Sequence, residues 1–179
     1  MSILDELSAR NEAFAQGQFD PTMELNPTRQ LMVVGCVDPR VDPAAVLGLR
    51  LGEGAVIRNV GGRITPATFA TFAMLGRVGA ANGSPPGAGW NLVVLHHTDC
   101  GMTDLAAHPD LLATYFDIPE QDLPAKSVSD PYASVHVDVD LLRSSGLLLP
   151  RFAVSGWVYD VGTGRAALVV PPQAPQGTT

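Results

Sequence analysis

The chain is short of three things: cysteine, positive charge and long apolar runs. Only two cysteines, Cys36 and Cys100, occur in its 179 residues. Two are too few for a disulfide framework, which points to a reducing, cytoplasmic compartment. Eleven Lys and Arg stand against 18 Asp and Glu, a formal net charge of -7. Such an acidic surface argues against nucleic acid or an anionic membrane as partner. No apolar run approaches the roughly 20 residues of a membrane span. The start, Met1 to Leu7, has no basic stretch followed by an apolar one, so no secretory signal is expected. What is present in quantity is hydrophobic residues, 46% of the chain. That suffices for one sizeable core, and the natural division is a single domain over residues 1–170 with a disordered tail at 171–179.

The pattern along the chain alternates strands with helices. Residues 2–15 read as an amphipathic helix (Ile3, Leu4, Leu7, Phe14) that Ser2 caps. A polar connection runs to Gln30, and Leu31 to Gly35 reads as a buried strand. Asp42-Pro43 opens a short helix that ends near Gly48. Ala55 to Ile57 is a second strand, Gly61-Gly62 a turn suited to positive φ, and Thr65-Pro66 the start of a helix through Phe69, Phe72, Ala73 and Leu75. Residues 82–89 are a loop, and 91–95 a third strand. Short helices follow, with Leu111, Leu112, Tyr115 and Phe116 as apolar positions. Asp130-Pro131 begins another helix, carrying Val135, Val139, Leu141 and Leu142. Phe152 to Val158 is a fourth strand, and Ala166 to Val170 an edge strand paired through the turn at Gly162-Thr163-Gly164. The order implies an α/β fold with a mostly parallel sheet of four to five strands covered by helices on both faces. Ligands in such sheets bind beyond the carboxyl ends of the strands.

Both cysteines lie at such ends. Cys36-Val37-Asp38-Pro39-Arg40 follows the first strand, and His97-Thr98-Asp99-Cys100 follows the third. Two thiols and an imidazole make a Cys2His metal site, one ligand short of a closed tetrahedron. Structural zinc sites use four protein ligands, whereas catalytic ones keep a position for water. The reading is therefore a zinc-activated water, a nucleophile near neutral pH. Asp38 reaches the same site, where it either orients that water or displaces it. Arg40, in a bidentate pair, holds the carboxylate in place and keeps it ionised. Taken singly, each piece has a plainer explanation: a cysteine at a strand end is more often a small core residue, and Asp38–Arg40 could be a surface ion pair of little worth. Their conjunction favours the metal site. His96 is better read as packing around that site than as a proton carrier. His108 reads as a solvated loop residue and His136 as a structural one. Arg58-Asn59 and Gly61-Gly62 either shape the mouth of the site or merely form a turn. Gly52-x-Gly54 lacks the remaining residues of a phosphate loop.

At this point the chain resembles the β-class carbonic anhydrases. The family pattern is Cys-x-Asp-x-Arg, Arg-Asn-x-(Gly/Ala) and His-x-x-Cys-Gly, met here by Cys36 to Arg40, Arg58 to Gly61 and His97 to Gly101. Gly156 to Asp160 resembles the family's late strand. The resemblance implies zinc on Cys36, His97 and Cys100, with Asp38 and Arg40 as the catalytic dyad. It implies reversible hydration of carbon dioxide, and a homodimer or higher homo-oligomer in which an N-terminal helical arm lies over the partner subunit. The run His96 to Met102 is similar to a compact bacterial subgroup that also resembles hydrolases of carbonyl sulfide and carbon disulfide, the alternative activity at the same zinc. A non-catalytic zinc-binding or redox-sensing module is the alternative of another class. Val33 stands where some bacterial members carry a tryptophan that builds a regulatory bicarbonate pocket, so that pocket is not expected. Pro39 stiffens the loop that carries Asp38.

Overall fold

The computed structural model describes residues 1–83, 89–146 and 152–173. The centre of the loop expected at 82–89 and most of the tail expected from 171 lie outside the described residues. Among the described residues, five strands form one sheet: β1 (Leu31–Cys36), β2 (Gly54–Asn59), β3 (Asn91–His97), β4 (Ala153–Asp160) and β5 (Arg165–Val170). Their spatial order is β2-β1-β3-β4-β5. All pairs are parallel except β4 with β5, an antiparallel edge hairpin. Chain connections diverge between β1 and β3, since β1 continues to β2 on one side and β3 to β4 on the other. The carboxyl ends of β1 and β3 therefore face a crevice at a topological switch point.

The helices are α1 (Ile3–Gly17), α2 (Pro43–Leu47), α3 (Pro66–Ala81), α4 (Pro109–Phe116) and α5 (Pro131–Ser144). Their starts follow from local chemistry. Ser2 and Asp5 form a reciprocal capping box on α1, and Thr65 with Thr68 does the same on α3. Asp42 and Asp130 accept from the first free amides of α2 and α5. A proline whose missing N–H costs nothing there opens every helix but α1.

Alternation along the strands decides what each face meets. Met32, Val34, Leu92, Val94, Val154 and Val158 share one face and pack against Phe72 of α3 and Val135, Val139 and Leu142 of α5. Each such fully buried aliphatic side chain contributes roughly 1.5–3 kcal/mol. Gly156 is what lets α5 approach: a Cβ there would stand 2.8 Å from Val135 Cγ2. The other face is less covered than expected. Pro43 of α2 sits on Gly35, where a Cβ would meet its ring at 2.7 Å. Beyond it, Leu31, Leu47, Val93, Trp157 and Leu168 line an open groove, and Leu168 stays 46% exposed. A second small cluster, Met102, Leu112 and Phe116, lies under the loop after Cys100. Two positions expected on apolar helix faces, Ala73 and Leu111, point to solvent. Helix α1 buries none of its residues.

Candidate metal centre

Strands β1 and β3 are adjacent and in parallel register, Gly35 opposite Leu95. Their ends therefore deliver Cys36 and His97 side by side, and the turn after His97 returns Cys100. The sulfurs of Cys36 and Cys100 are 4.0 Å apart. One ligand atom from each of Cys36, His97 and Cys100 lies within 4.8 Å of the others, a cluster able to hold a metal ion. His97 is only 2% exposed. Its Nδ1 bonds the Thr98 carbonyl at 2.9 Å. A carbonyl only accepts, so the proton sits on Nδ1 and the Nε2 lone pair is free. Nε2 is buried and has no hydrogen-bond partner. A buried orphan nitrogen facing two sulfurs is what a metal ligand looks like without its ion, and the donor set fits zinc.

The protonation of the cluster follows from its crowding. Hydrogen bonding from Cys100 pulls Cys36 down to about 4 against the opposing effect of burial, and Cys100 is pushed up in turn. One proton is thus easily lost by the pair and the second is held. Burial disfavours a charged His97, but the negative Cys36 sulfur outweighs it and raises the imidazole above its usual value.

Around the cluster the loop of Cys36 is tightly held. Asp38 caps the single 3-10 turn Pro39–Val41 by accepting from Arg40 N at 2.9 Å. Pro39 occupies the first position of that turn, so its lack of a donor is harmless there. The Arg40 guanidinium grips both oxygens of Asp38, with Nε at 3.1 Å from Oδ1 and Nη2 at 2.7 Å from Oδ2. Hydrogen bonding from Arg40 lowers Asp38 to about 2, so it is a carboxylate at any physiological pH. Arg40 also reaches Asp99, through Nη1 to Oδ2 at 2.7 Å and Nη2 to the backbone oxygen at 2.8 Å. Arg58 is more than a wall of the mouth. It donates to the carbonyls of Cys36 and Asp38, at 2.9 and 2.8 Å, and to Asp42 at 2.6 Å. Asn59 in turn ties down Arg63, accepting its N–H and donating to its carbonyl.

A cleft beside the cluster is lined by Gly61, Arg63, His96, His97, Cys100 and Met102, among others. Gly61 and Gly62 adopt φ of 75° and 66°. At Gly62 a Cβ would lie 2.9 Å from Cys36 N, so only glycine lets this turn pass behind the ligand strand. His96 is held from the side of α5, its Nδ1 2.8 Å from Ser134 Oγ and its Nε2 3.3 Å from Asp138. His96 thus belongs to a buried polar group with Ser134 and Asp138. His108 and His136 are exposed and are not part of the cluster able to hold a metal among the described residues.

Two partners were not singled out by sequence. Asp138 on α5 pairs with buried Arg63 at 2.7 Å and accepts from Ile64 N. Burial opposes its charge, but His96 and Arg63 more than compensate and its pKa falls. The only sequence signal was a charge set among the apolar positions of α5. Asp99 is the other; it lies inside the His97–Cys100 motif and takes φ of 53°, a conformation that Asp tolerates better than most residues.

A parallel α/β sheet with a Cys-His-Cys cluster at its switch point defines a metalloenzyme-like architecture, and comparison with known proteins specifies it. Residues 31–117 match the carbonic anhydrase family model. The chain is 26% identical over 172 residues to beta-carbonic anhydrase 1 of Mycobacterium tuberculosis, covering 96% of this chain and all of that one. It is 25% identical to a carbon disulfide hydrolase of Acidithiobacillus thiooxidans, covering 92% and 89% of the two chains. The crystal structure of a carbonic anhydrase from Streptococcus mutans superposes with a TM-score of 0.70 at 30% identity, covering 94% of this chain and 98% of that one. The chain belongs to the β-carbonic anhydrase family, whose members are lyases.

Proposed function

We propose that the protein catalyses reversible hydration of carbon dioxide to bicarbonate and a proton, with Cys36, His97 and Cys100 holding zinc. The observation that carries this reading is the buried, unpartnered Nε2 of His97 aimed at two sulfurs. Zinc bound by these residues supplies a Lewis acid that makes water a nucleophile near neutral pH. The chain's own residues do the rest. Asp38, kept ionised by Arg40, accepts a hydrogen bond from the attacking water and orients it. Arg40 holds the carboxylate in place, which would keep it from becoming a further ligand once zinc is bound. Arg58 fixes the carbonyls on either side of Val37, so the Asp38 loop keeps its distance from Cys36.

Stopped-flow hydration by the zinc-loaded protein tests this; a rate rising between neutral and mildly alkaline pH supports it, and none above background sinks it. Hydrolysis of carbonyl sulfide or carbon disulfide is the second reading, supported by the carbon disulfide hydrolase relative. The attack on a heteroallene carbon is the same, and hydrogen sulfide release measured beside hydration ranks the substrates.

We also read the chain as one domain that works as a homodimer or higher assembly. Helix α1 exposes Ile3, Leu4 and Leu7, and the sheet leaves an apolar groove open. A second copy would cover both.

A further inference from the structure

Arg40 is placed to do more than hold Asp38. Its guanidinium has five N–H groups. One from Nε and one from Nη2 go to the Asp38 carboxylate. The second from Nη2 goes to the Asp99 backbone oxygen, and one from Nη1 to the Asp99 carboxylate. Four of the five are thus committed, to residues on two different loops. Asp38 lies two positions after Cys36 and Asp99 one position before Cys100, so the guanidinium spans the two sulfur-bearing loops. Arg40 itself is 49% exposed. An exposed arginine on a single carboxylate loses side-chain freedom for little return. The Asp99 contacts fix the guanidinium plane at its far edge and leave it one orientation. The left-handed backbone at Asp99, φ 53°, belongs to the same arrangement, because the residue brings both its carbonyl and its carboxylate to Arg40.

We infer that Asp99 is a positioning residue: it anchors Arg40 so that Arg40 in turn holds Asp38 off the open ligand position. The inference rests on reading Asp38 and Arg40 as the catalytic pair. Asp99 acts only through Arg40, and this separates it from a residue that merely supports the loop.

A double-mutant cycle reads that dependence. Asp99→Asn keeps the tolerance for positive φ and the backbone carbonyl, and removes the charge. The side chain is 74% exposed, so the substitution should cost little stability. Two readouts are taken: turnover of the zinc-loaded protein, and visible absorption of the cobalt(II)-loaded protein, which reports a change of ligand at the metal. Asp99→Asn is expected to keep its metal, to lower kcat about tenfold (the weak end of what removal of an outer-sphere partner does) and to shift the cobalt spectrum the same way as Arg40→Ala. Added to Arg40→Ala, it is expected to change neither readout further. Both readouts within twofold of the parent, or an equal loss with and without Arg40, would overturn the inference while leaving the catalytic pair intact. An Arg40→Ala protein that itself behaves as the parent overturns the pair and this inference together. Were the parent inactive in every assay, the cobalt spectra alone would decide.

Discussion

Arg40 bonds to Asp38 and Asp99 rather than to the Cys-His-Cys cluster, yet the proposed chemistry depends on it. Arg40→Ala removes no metal ligand, so zinc content measured by atomic emission should stay near one per chain. Turnover should fall by roughly 10–100-fold, the usual cost of losing a partner that orients a metal site. Cys100→Ala should behave in the opposite order: zinc is lost first, and activity goes with it. Metal binding requires a deprotonated thiolate and a neutral imidazole. Protons compete with the metal for both thiolates and the imidazole, so zinc content should fall on acidification, a result visible by measuring metal content along a pH series. At this scale the sequence was most legible. The five residues of the two motifs are close in sequence and their chemistry is self-announcing. Asp99 escaped notice because its value lies in an orientation, and orientation is set by a backbone angle that residue types constrain only weakly.

The elements that carry these residues were readable wherever a local rule governs them. Capping residues and prolines marked the starts of α1, α2, α3 and α5, and apolar runs marked β1 and β3. What local rules do not encode is pairing across the chain. Arg63 and Asp138 are 75 residues apart in sequence, yet they form a buried ion pair. That pair joins α5 to the turn behind Cys36. Asp138→Asn leaves the guanidinium buried and without its charge partner, which costs roughly 3–5 kcal/mol and should appear as a lower urea midpoint. The pH dependence has a definite sign. A carboxylate whose folded pKa is depressed stabilises the fold above its ordinary pKa near 4, and this contribution is lost as pH falls through the lower folded value. The parent's advantage over Asp138→Asn should therefore shrink below about pH 4. Gly62→Ala tests the same turn sterically. A left-handed alanine with its Cβ against Cys36 N should cost roughly 2–4 kcal/mol, and the shifted strand end should lower zinc occupancy at limiting metal.

For the molecule as a whole, two observations point the same way. Helix α1 is well capped but buries nothing, and one face of a largely parallel sheet is only partly covered, although such sheets are ordinarily protected on both sides. Deleting residues 1–17 should leave the sheet folded and reduce the particle mass to that of one chain by light scattering. An unchanged mass would remove α1 from the assembly. The groove was not foreseen, because the alternation of strands and helices counts helices without saying which face each one takes.

The divergence of the chain between β1 and β3 has an evolutionary consequence. The crevice exists because successive segments leave it in opposite directions, so no connection has to cross it. Either departing segment could grow or shrink without roofing over the Cys-His-Cys cluster. Selection could therefore remodel the walls on either side while Cys36, His97 and Cys100 keep their places at the two strand ends.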